Sequence, residues 1–249
     1  MPITAAASNT RTRAEGRTIR NLQALLRLCH LVSPALPIGA FGYSQALEQA
    51  VELGWVRDEG GALAWLDGQT RQAVGTLDLP ILLRMHRAWR TGDIAQVRHW
   101  TKQLMASRET AELRAEERHL GGALWRVLDG LGIIEARRWF GPSDCAQPES
   151  EPALATLFSL AAWHWQIEPE DALCGYLWSW SENQVLAAVK LVPLGQSAGQ
   201  RLLHQLIAGM PGVVERALTL PDEAIGVGVF APLLASALHE TQYTRLFRS

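Results

Sequence analysis

The residues of this chain that are best able to do chemistry are its seven histidines. No two of them stand four residues apart, and none belongs to a His-Glu-x-x-His sequence, the spacings that bring ligands together around a metal ion. His239 and Glu240 could supply an imidazole and a carboxylate, but neighbouring residues on a helix do not face each other. His164 lies between Trp163 and Trp165 and is expected to pack against them. The histidine pattern therefore predicts neither a metal centre nor a catalytic dyad.

Phosphate-binding and nucleophile motifs do not occur in the sequence either. There is no Gly-x-x-x-x-Gly-Lys-Ser/Thr loop, and the Gly-x-Gly at Gly226 lacks the third glycine and the strand of a dinucleotide site. No Gly-x-Ser-x-Gly turn is present to expose a catalytic serine. Cys29, Cys145 and Cys174 are odd in number and widely spaced, which argues against a disulfide framework and a structural zinc site. A binding protein is therefore favoured, and a helical hydrolase or other enzyme with dispersed residues is an alternative.

The most unusual group of side chains closes the chain, at residues 239–249. Tyr243, Leu246 and Phe247 are aromatic or apolar, and Arg245 and Arg248 flank them. Chain ends are normally polar and frayed, whereas Tyr, Phe and Arg are enriched at the centres of protein interfaces. One alternative is a segment that folds back on its own domain. The favoured hypothesis is a segment that becomes ordered when it docks to another protein, which must offset the entropy of ordering.

A second unusual stretch, residues 33–48, is a stiff connection between two predicted helices. Pro34 and Pro37 fix their own φ and keep the preceding residues out of the helical region, while Gly39 and Gly42 permit turns. Ser44 is predicted to cap the following helix. Four side chains of the loop are too hydrophobic to be left in water: Leu36, Ile38, Phe41 and Tyr43. A buried connection between helices is the simplest interpretation, but apolar loops are uncommon, so a contact with a partner is the alternative.

Lys190 follows the apolar run Val185-Leu-Ala-Ala-Val at the end of a predicted helix. A lysine there can be explained by its long aliphatic stem and by the attraction of a cation to a helix C-terminus. The alternative, a charge that is presented to a partner protein, stays open.

Two long motifs connect this sequence with a known family. Residues 33–48 read Ser-Pro-x-x-Pro-x-Gly-x-Phe-x-Tyr-Ser-x-x-Leu-Glu, which resembles the N-terminal signature of the urease accessory protein UreF family. Residues 239–249 read His-Glu-Thr-Gln-Tyr-Thr-Arg-Leu-Phe-Arg-Ser, similar to its C-terminal signature. The stretches that begin at Glu109 and Lys190 also resemble the family, so the likeness extends from about Leu22 to the end. The sequence departs from the pattern at Ala46, where a glycine is expected, and at Gly42, where a serine is common; both changes affect only local loop geometry.

The resemblance implies an all-helical, dimeric adaptor without chemistry of its own. Members of the family act in nickel delivery to urease, with the UreD (also called UreH) scaffold protein and the GTPase UreG, whose GTP hydrolysis they influence. No cofactor is expected to be bound tightly by this chain, because nickel is handled by the complex. The expected partners are a UreD/UreH-type scaffold, a UreG-type GTPase, apo-urease and a second copy of this chain. A helical regulatory scaffold unrelated to urease is the alternative.

Matching the family motifs to this sequence gives two sets of candidate residues. The scaffold-binding set lies at the end of the chain and comprises His239, Glu240, Gln242, Tyr243, Arg245, Leu246, Phe247 and Arg248. The set that faces the dimer partner or the GTPase comprises Tyr43, Glu48, Lys190, Gln196, Gln200 and Arg201. No catalytic or metal-binding residue is assigned.

Apolar residues at three- and four-residue spacing predict an all-α fold of about ten helices in one domain, residues 18–249. Asp58, Asp78 and Asp93 are predicted helix starts, and Gly92 is a predicted stop. A long helix at 169–191 is expected to be followed by two shorter ones, at 197–208 and 212–219, and by a last one at 233–243. Residues 1–17 are predicted to be a mobile tail, and residues 141–150 form a linker-like loop within the domain.

Composition and charge exclude several classes of function. The hydrophobic content of 48% and the charged content of 19% are those of a folded domain. Charges of both signs alternate over residues 101–128, where a solvated helix face is expected and Arg108 is predicted to pair with Glu112. The family resemblance favours the alternative that part of this face contacts a partner. The net charge of −2 gives no long-range attraction to nucleic acid or anionic lipid. Because the longest uncharged runs are too short to cross a membrane and residues 1–20 lack the apolar core of a secretory signal, we expect a cytoplasmic protein that binds neither nucleic acid nor membrane.

Overall fold

The computed structural model describes residues 21–140, 152–226 and 230–249, with the side chains of Phe140 and Phe230 excepted. The predicted mobile tail, residues 1–17, and the linker-like loop, residues 141–150, lie outside the described residues. Within them the fold is all-α, as predicted. The α-helices are Leu22–Leu31 (α1), Leu47–Glu52 (α2), Glu59–Gln69 (α3), Leu79–Thr91 (α4), Ile94–Ser107 (α5), Ala111–Gly130 (α6), Ile134–Phe140 (α7), Leu154–His164 (α8), Pro169–Leu191 (α9), Gln196–Thr219 (α10) and Phe230–His239 (α11). A π-helix, Thr70–Asp78, joins α3 to α4, and short 3-10 turns occur at Ala40–Gly42 and Asp222–Ala224.

The core is organised around α8, because this helix is buried on nearly every side over residues 155–162. Helices α4 and α6 pack along it, and α5 packs on α4. Helix α6 comes close because Gly121 has no side chain: a Cβ there would lie 2.1 Å from the carbonyl oxygen of Pro152. The long helices α9 and α10 pack against each other and against α4, which closes the core from the other side.

A continuous helical stretch runs from α3 through the π-helix into α4, residues 59–91. Asp78, a predicted helix start, lies inside this stretch and caps no backbone N–H. Helix α4 does begin next to Asp78, with Pro80 in its first turn, but the cap is absent because the carboxylate of Asp78 binds Arg108 and Tyr176. A buried ion pair has overridden the local preference for a cap.

Helix α10 is one helix and not the two that were predicted. Pro211 lies inside it, with no break between Gln196 and Thr219. The proline is on the exposed side of the helix, where water can satisfy the carbonyl that its missing N–H leaves free. On the buried side, the apolar stripe continues through Met210 and Val214, and its burial outweighs the local cost of the proline.

The simple helix signals at exposed positions are confirmed. Asp58 accepts a hydrogen bond from the backbone N–H of Gly61 (2.8 Å) and Asp93 from that of Gln96 (3.0 Å). Gly92 ends α4 with a left-handed φ of 69°. Local sequence predicts these caps because each depends only on residues within one helical turn of it.

The boundaries of α2 and α11 differ from the predicted ones. Helix α2 begins at Leu47, later than predicted, because Gln45 and Ala46 have φ of 49° and 70°. Glycine adopts such angles most readily, so the backbone explains why the family pattern has glycine where this chain has Ala46. The hydroxyl oxygen of Ser44 still accepts a hydrogen bond from Glu48 N in the first turn (3.3 Å), as its predicted capping role requires. Helix α11 ends at His239 instead of continuing to 243, and the residues that follow turn back over the domain.

Among the described residues, no helix combines the length and the apolar character that crossing a membrane requires.

Candidate partner-docking site

The C-terminal segment, defined as residues 240–249, is folded onto its own domain. Its backbone runs beside the loop before α2: Arg248 N donates to the carbonyl oxygen of Gly42 (2.9 Å), and Ser44 N donates to that of Ser249 (2.9 Å). The hydroxyl of Ser44 donates a second bond to the same oxygen of Ser249 (2.6 Å). The loop thus satisfies the backbone of the segment, as in the alternative in which the segment folds back on its own domain. The hypothesis that it docks to another protein stays a prediction.

The buried carboxylate of Glu48, in the first turn of α2, anchors the middle of the segment. Its Oε1 accepts a hydrogen bond from Leu246 N (2.6 Å), and its Oε2 accepts one from Phe247 N (2.9 Å). Hydrogen bonds to an ionised acceptor are stronger than those between neutral groups. Glu48 was assigned from the sequence to a surface for the dimer or the GTPase, but its side chain faces the interior of its own chain.

His239, the last residue of α11, is completely buried between two carboxylates. Its Nδ1 lies 2.6 Å from Oε2 of Glu112 on α6, and its Nε2 lies 3.3 Å from Oε2 of Glu48. Glu112 also accepts a hydrogen bond from Arg245 of the C-terminal segment. This group, which we call the His239 cluster (Glu48, Glu112, His239 and Arg245), links α2, α6, α11 and the segment.

Glu116, one turn after Glu112 on α6, holds the end of the segment. Its Oε2 accepts a hydrogen bond from the hydroxyl of Ser249 (2.7 Å), and its Oε1 accepts one from Nε2 of Gln45 (2.7 Å). Gln45 in turn accepts a bond from Nε1 of Trp180 (2.7 Å). Burial raises the pKa of Glu116 to about 7, against the opposing effect of the bonds from Gln45 and Ser249. The carboxyl group therefore changes its charge near neutral pH.

Phe247 is the apolar anchor of the segment and is buried. The ammonium of Lys190, an exposed residue in the last turn of α9, lies 5.6 Å from the centroid of the Phe247 ring. This distance is within the range of a cation–π interaction. Lys190 is thus at a helix end, as one of its two sequence interpretations requires, and it also contacts the segment, which the sequence did not indicate.

Other side chains of the segment point outward from this fixed backbone. Tyr243 is fully exposed and Leu246 is 66% exposed. Arg248 is exposed as well, while Gln242 is half-buried and bonds within the segment. Glu240 accepts a hydrogen bond from Ala111 N (2.7 Å) at the start of α6. The scaffold-binding set therefore divides into residues that hold the segment and residues that it displays.

A second buried charge cluster, the Arg108 cluster (Asp78, Arg108, Glu117 and Tyr176), lies deeper in the domain. Arg108 binds Asp78 and donates to Oε2 of Glu117 (2.9 Å). Burial by itself disfavours the charged guanidinium, but Asp78 and then Glu117 raise the pKa of Arg108 above its usual value. The predicted pair of Arg108 with Glu112 is wrong, because Arg108 follows the end of α5 and is turned into the core. The solvated face predicted for 101–128 is likewise incorrect at Glu116 and Glu117, which are buried.

A cavity of about 120 Å³ lies beneath residues 33–45, between this loop and α6, α8 and α9. Leu36 and Tyr43 of the loop are buried and Ile38 is half-buried, as the sequence suggested, whereas Phe41 is 68% exposed beside the cavity. The lining is mainly apolar, with Arg108, Glu116 and Glu117 on the inner side. Within the described part of the chain, no group of three His, Cys, Asp or Glu side chains is arranged to hold a metal ion.

The second candidate set is divided between the surface and the interior. Lys190, Gln196, Gln200 and Arg201 are exposed around the turn from α9 to α10. Arg201 forms an ion pair with Glu59 of α3 (2.6 Å). Tyr43 is buried, with its hydroxyl 3.1 Å from Nδ1 of His119. Neither Tyr43 nor Glu48 therefore shares a surface with the other four.

Sequence reasoning missed Glu112 and Glu116, which bind the segment, and Gln45, which bonds to Glu116. One signal was available for the first two: like charges four residues apart on a helix repel each other. Their spacing on α6 suggests that each has a partner elsewhere in the fold. Nothing local identifies that partner, because His239 and Ser249 are more than 120 residues away.

Comparison with known proteins agrees with the motifs. A sequence profile described as UreF matches residues 56–207. Among curated relatives, a urease accessory protein UreF from Alkalilimnicola ehrlichii is 48% identical over 223 residues, which cover 90% of this chain and 95% of the relative. Proteins of the same name from Chromohalobacter salexigens and Teredinibacter turnerae are 47% and 46% identical, with 91% and 90% of this chain and 95% and 98% of the relatives covered. The chain belongs to the UreF family of urease accessory proteins.

Proposed function

We propose that this chain is a non-catalytic adaptor of urease maturation, which bridges a UreD/UreH-type scaffold protein and a UreG-type GTPase. In this role it modulates GTP hydrolysis and promotes the delivery of nickel into apo-urease. Nickel is the cargo of the complex, and no tightly bound cofactor is assigned to this chain. Membership of a family of urease accessory proteins supports a role in urease maturation. The C-terminal segment supports the proposal that this role consists of binding other proteins.

The proposal rests on one observation: some residues of the C-terminal segment hold it on the domain, and other residues of the segment are exposed to solvent. Glu48, Glu112 and Glu116 hold its backbone and inward side chains, while Tyr243 and Leu246 remain in water. An aromatic and an aliphatic side chain displayed on a fixed backbone suit a protein interface, because little conformational entropy remains to be lost on binding. We assign this surface to the scaffold protein.

The test replaces only the displayed side chains, since a deletion of the segment would also leave Glu48 and Glu116 without their partners. We expect Tyr243→Ser combined with Leu246→Ser to abolish co-purification with the UreD/UreH-type protein and to leave the thermal unfolding of the isolated chain unchanged. Leu131→Ser, at a similarly exposed leucine after α6, is the matched control and should bind normally. Wild-type binding by the double variant would refute the assignment.

The surface around the turn from α9 to α10 is assigned to the GTPase. Lys190, Gln196, Gln200 and Arg201 are exposed there, and Lys190 contacts Phe247 of the segment, so that the two proposed surfaces adjoin. We expect Gln196→Ala with Gln200→Ala to alter GTP turnover by the UreG-type protein in the assembled complex without loss of scaffold binding. An unchanged rate of GTP turnover would show that Gln196 and Gln200 do not contribute to the proposed GTPase-binding surface.

The homodimer is assigned to α1. Leu22 is 72% exposed and Leu26 69% exposed on this helix, and Leu25 is partly exposed beside them. Such a stripe on one helix is suited to a second copy of itself. We expect Leu26→Arg to convert a dimer to a monomer in sedimentation equilibrium, while Ile94→Arg, at an exposed isoleucine of α5, leaves the dimer intact. If the Leu26→Arg protein sediments as a dimer, the assignment of the dimer interface to α1 is wrong.

The histidine and carboxylates of the His239 cluster have no catalytic role in this proposal. His239 has no exposed surface, and the cavity beneath residues 33–45 is lined by neither His239 nor Glu48 nor Glu112. A substrate would therefore have no contact with the imidazole.

A further inference from the structure

We infer that His239 is a positioning residue whose doubly protonated ring holds the C-terminal segment on the domain, so that docking of the segment depends on a proton. Nothing in the proposed contacts with other proteins requires this dependence. It concerns the isolated chain, and its test needs no partner.

The hydrogen bonds around the ring determine how many protons it carries. Nδ1 faces Oε2 of Glu112, and Nε2 faces Oε2 of Glu48. Ionised carboxylates only accept hydrogen bonds, and a neutral imidazole has one N–H to donate. Both contacts are satisfied at once when both ring nitrogens carry a proton.

A proton on one of the carboxyl groups would be the alternative, but their other partners oppose it. Both oxygens of Glu48 already accept backbone N–H groups, those of Leu246 and Phe247. Glu112 accepts from the guanidinium of Arg245, which has no acceptor atom to offer a carboxyl proton. The two carboxylates are then balanced by the buried imidazolium and by the partly exposed guanidinium of Arg245, which is favourable because an unbalanced buried charge is costly.

The charged groups on every element around His239 contribute to the net charge of this region. Helix α2 contributes Glu48, α6 contributes Glu112 and, one turn further, Glu116, and the segment contributes Arg245 and Glu240. The Arg108 cluster adds Asp78, Arg108 and Glu117 beyond Glu116. Arg245 is a permanent cation, so the imidazole is the member of the cluster whose positive charge depends on a second ring proton.

Loss of that proton would leave a lone pair of the ring facing a buried carboxylate. Glu48 would then be short of a positive partner while it is still buried, and the backbone N–H bonds of Leu246 and Phe247 to it would become less favourable in a group with net negative charge. The segment would be held less firmly as the pH rises. Glu116 also changes its charge near neutral pH and bonds to Ser249 of the segment, so its contribution must be removed from the measurement.

The experiment follows the ring and the segment together, from pH 6 to pH 9.5, in the Glu116→Gln protein so that Glu116 does not contribute. Nitrogen NMR of the histidine ring, assigned by comparison with His239→Gln, reports its protonation. Hydrogen exchange at Leu246 N and Phe247 N, corrected for the intrinsic effect of pH, reports how firmly the segment is held. We expect both ring nitrogens to be protonated at pH 6, and the protection of the two amides to fall about tenfold or more in step with the loss of the ring proton.

The matched variant adds His239→Gln to the Glu116→Gln protein, since glutamine has similar polarity but no titratable proton and Glu116 then contributes no pH dependence. We expect it to reduce the protection of Leu246 N and Phe247 N to the low level at every pH, with far-UV circular dichroism retained. The inference is overturned if the ring of Glu116→Gln carries a single proton at pH 6, or if protection does not follow the ring. It is equally overturned if the matched variant keeps the pH dependence. Should the matched variant fail to fold, the ring and exchange data on Glu116→Gln alone still decide the matter.

Discussion

The Arg108 cluster and the His239 cluster each bury two carboxylates around one central base, but the bases differ. Arg108 lies between Asp78 and Glu117, and it is a permanent cation whose pKa these neighbours raise further. His239 lies between Glu48 and Glu112, and it is a cation only while it is doubly protonated. The first cluster joins α6 to the core helices. The second joins α6 to the C-terminal segment.

This difference assigns the two clusters different tasks. A guanidinium keeps its charge at every physiological pH, so the ion pairs that connect the π-helix with α6 do not depend on a titratable proton. An imidazole between carboxylates holds a segment that solvent conditions can loosen. Arg108 thus lies between helices of the core, and His239 lies where the proposed docking segment contacts the domain.

The largest expected effect comes from removing the permanent base. Arg108→Met retains most of the side-chain volume but leaves Asp78 and Glu117 buried without their cation. We expect the free energy of unfolding in urea at pH 8 to fall by about 3–5 kcal/mol. A loss of less than about 1 kcal/mol, the range of an exposed ion pair, would contradict the structural role of this cluster.

Arg201→Met provides the matched control for Arg108→Met. Arg201 also pairs with a carboxylate, that of Glu59, but the pair lies on the surface. Exposed ion pairs contribute little to stability, so we expect the unfolding midpoint in urea to stay at the wild-type value.

The next effect concerns the pH dependence at Glu116, which adjoins both clusters. Its pKa of about 7 in the folded state lies above the ordinary value of 4.5, so the folded protein binds this proton more tightly than the unfolded chain. The contribution to stability is complete below pH 4.5 and is lost as the pH rises through 7. Between these limits we expect Glu116→Gln to gain roughly 3 kcal/mol relative to wild type, measured by urea unfolding at intervals of one pH unit.

His86 opposes Glu116 in the same pH range, so the comparison with Glu116→Gln is necessary. Burial lowers the pKa of His86 below its usual value of 6.5, against a hydrogen bond to the carbonyl of Ile167 that raises it. The folded state therefore binds this proton less tightly, and stability is lost as the pH falls through 6.5. Because His86 is present in both proteins, its effect cancels in the difference. A difference that does not change with pH would contradict the assignment to Glu116.

The smallest effect is expected for Lys190, a third cation, which acts on the segment through an aromatic ring instead of a carboxylate. Lys190→Met keeps an apolar side chain near Phe247 and removes the charge. We expect a loss of about 0.5–1 kcal/mol from the stability of the docked segment, measured by hydrogen exchange at Phe247 N. In a Phe247→Leu background the same substitution should have no effect. An equal loss in both backgrounds would show that Lys190 acts only at the end of its helix.

The parts of the fold that sequence predicted correctly depend on short-range chemistry. Asp58 and Asp93 cap helices through N–H groups three residues away, and Gly92 ends a helix through its own backbone angle. The errors occur where a distant contact outweighs the local signal. Asp78 has the character of a cap but pairs with Arg108, and Pro211 has the character of a break but lies on the exposed side of a helix whose other side is buried.

The candidate site shows the same limit more strongly. The sequence predicted that the C-terminal segment belongs to the site, because Tyr243, Leu246 and Phe247 are unusual so close to a terminus. It did not predict which side chains point inward, because Glu48, Glu112 and Glu116 bind the segment from elements that lie far away along the chain. A motif records that residues belong together in a family without indicating which of them point inward.

The sequence by itself determined the all-α class of this protein, the caps of its exposed helices and its family, because periodic burial, local hydrogen bonds and long motifs are all properties of neighbouring residues. Only the tertiary structure decided which charges are buried and what they bind. Burying a carboxylate is unfavourable unless a base or an N–H group lies within hydrogen-bonding distance, and those partners are brought together only when α2, α6, α11 and the C-terminal segment pack against one another.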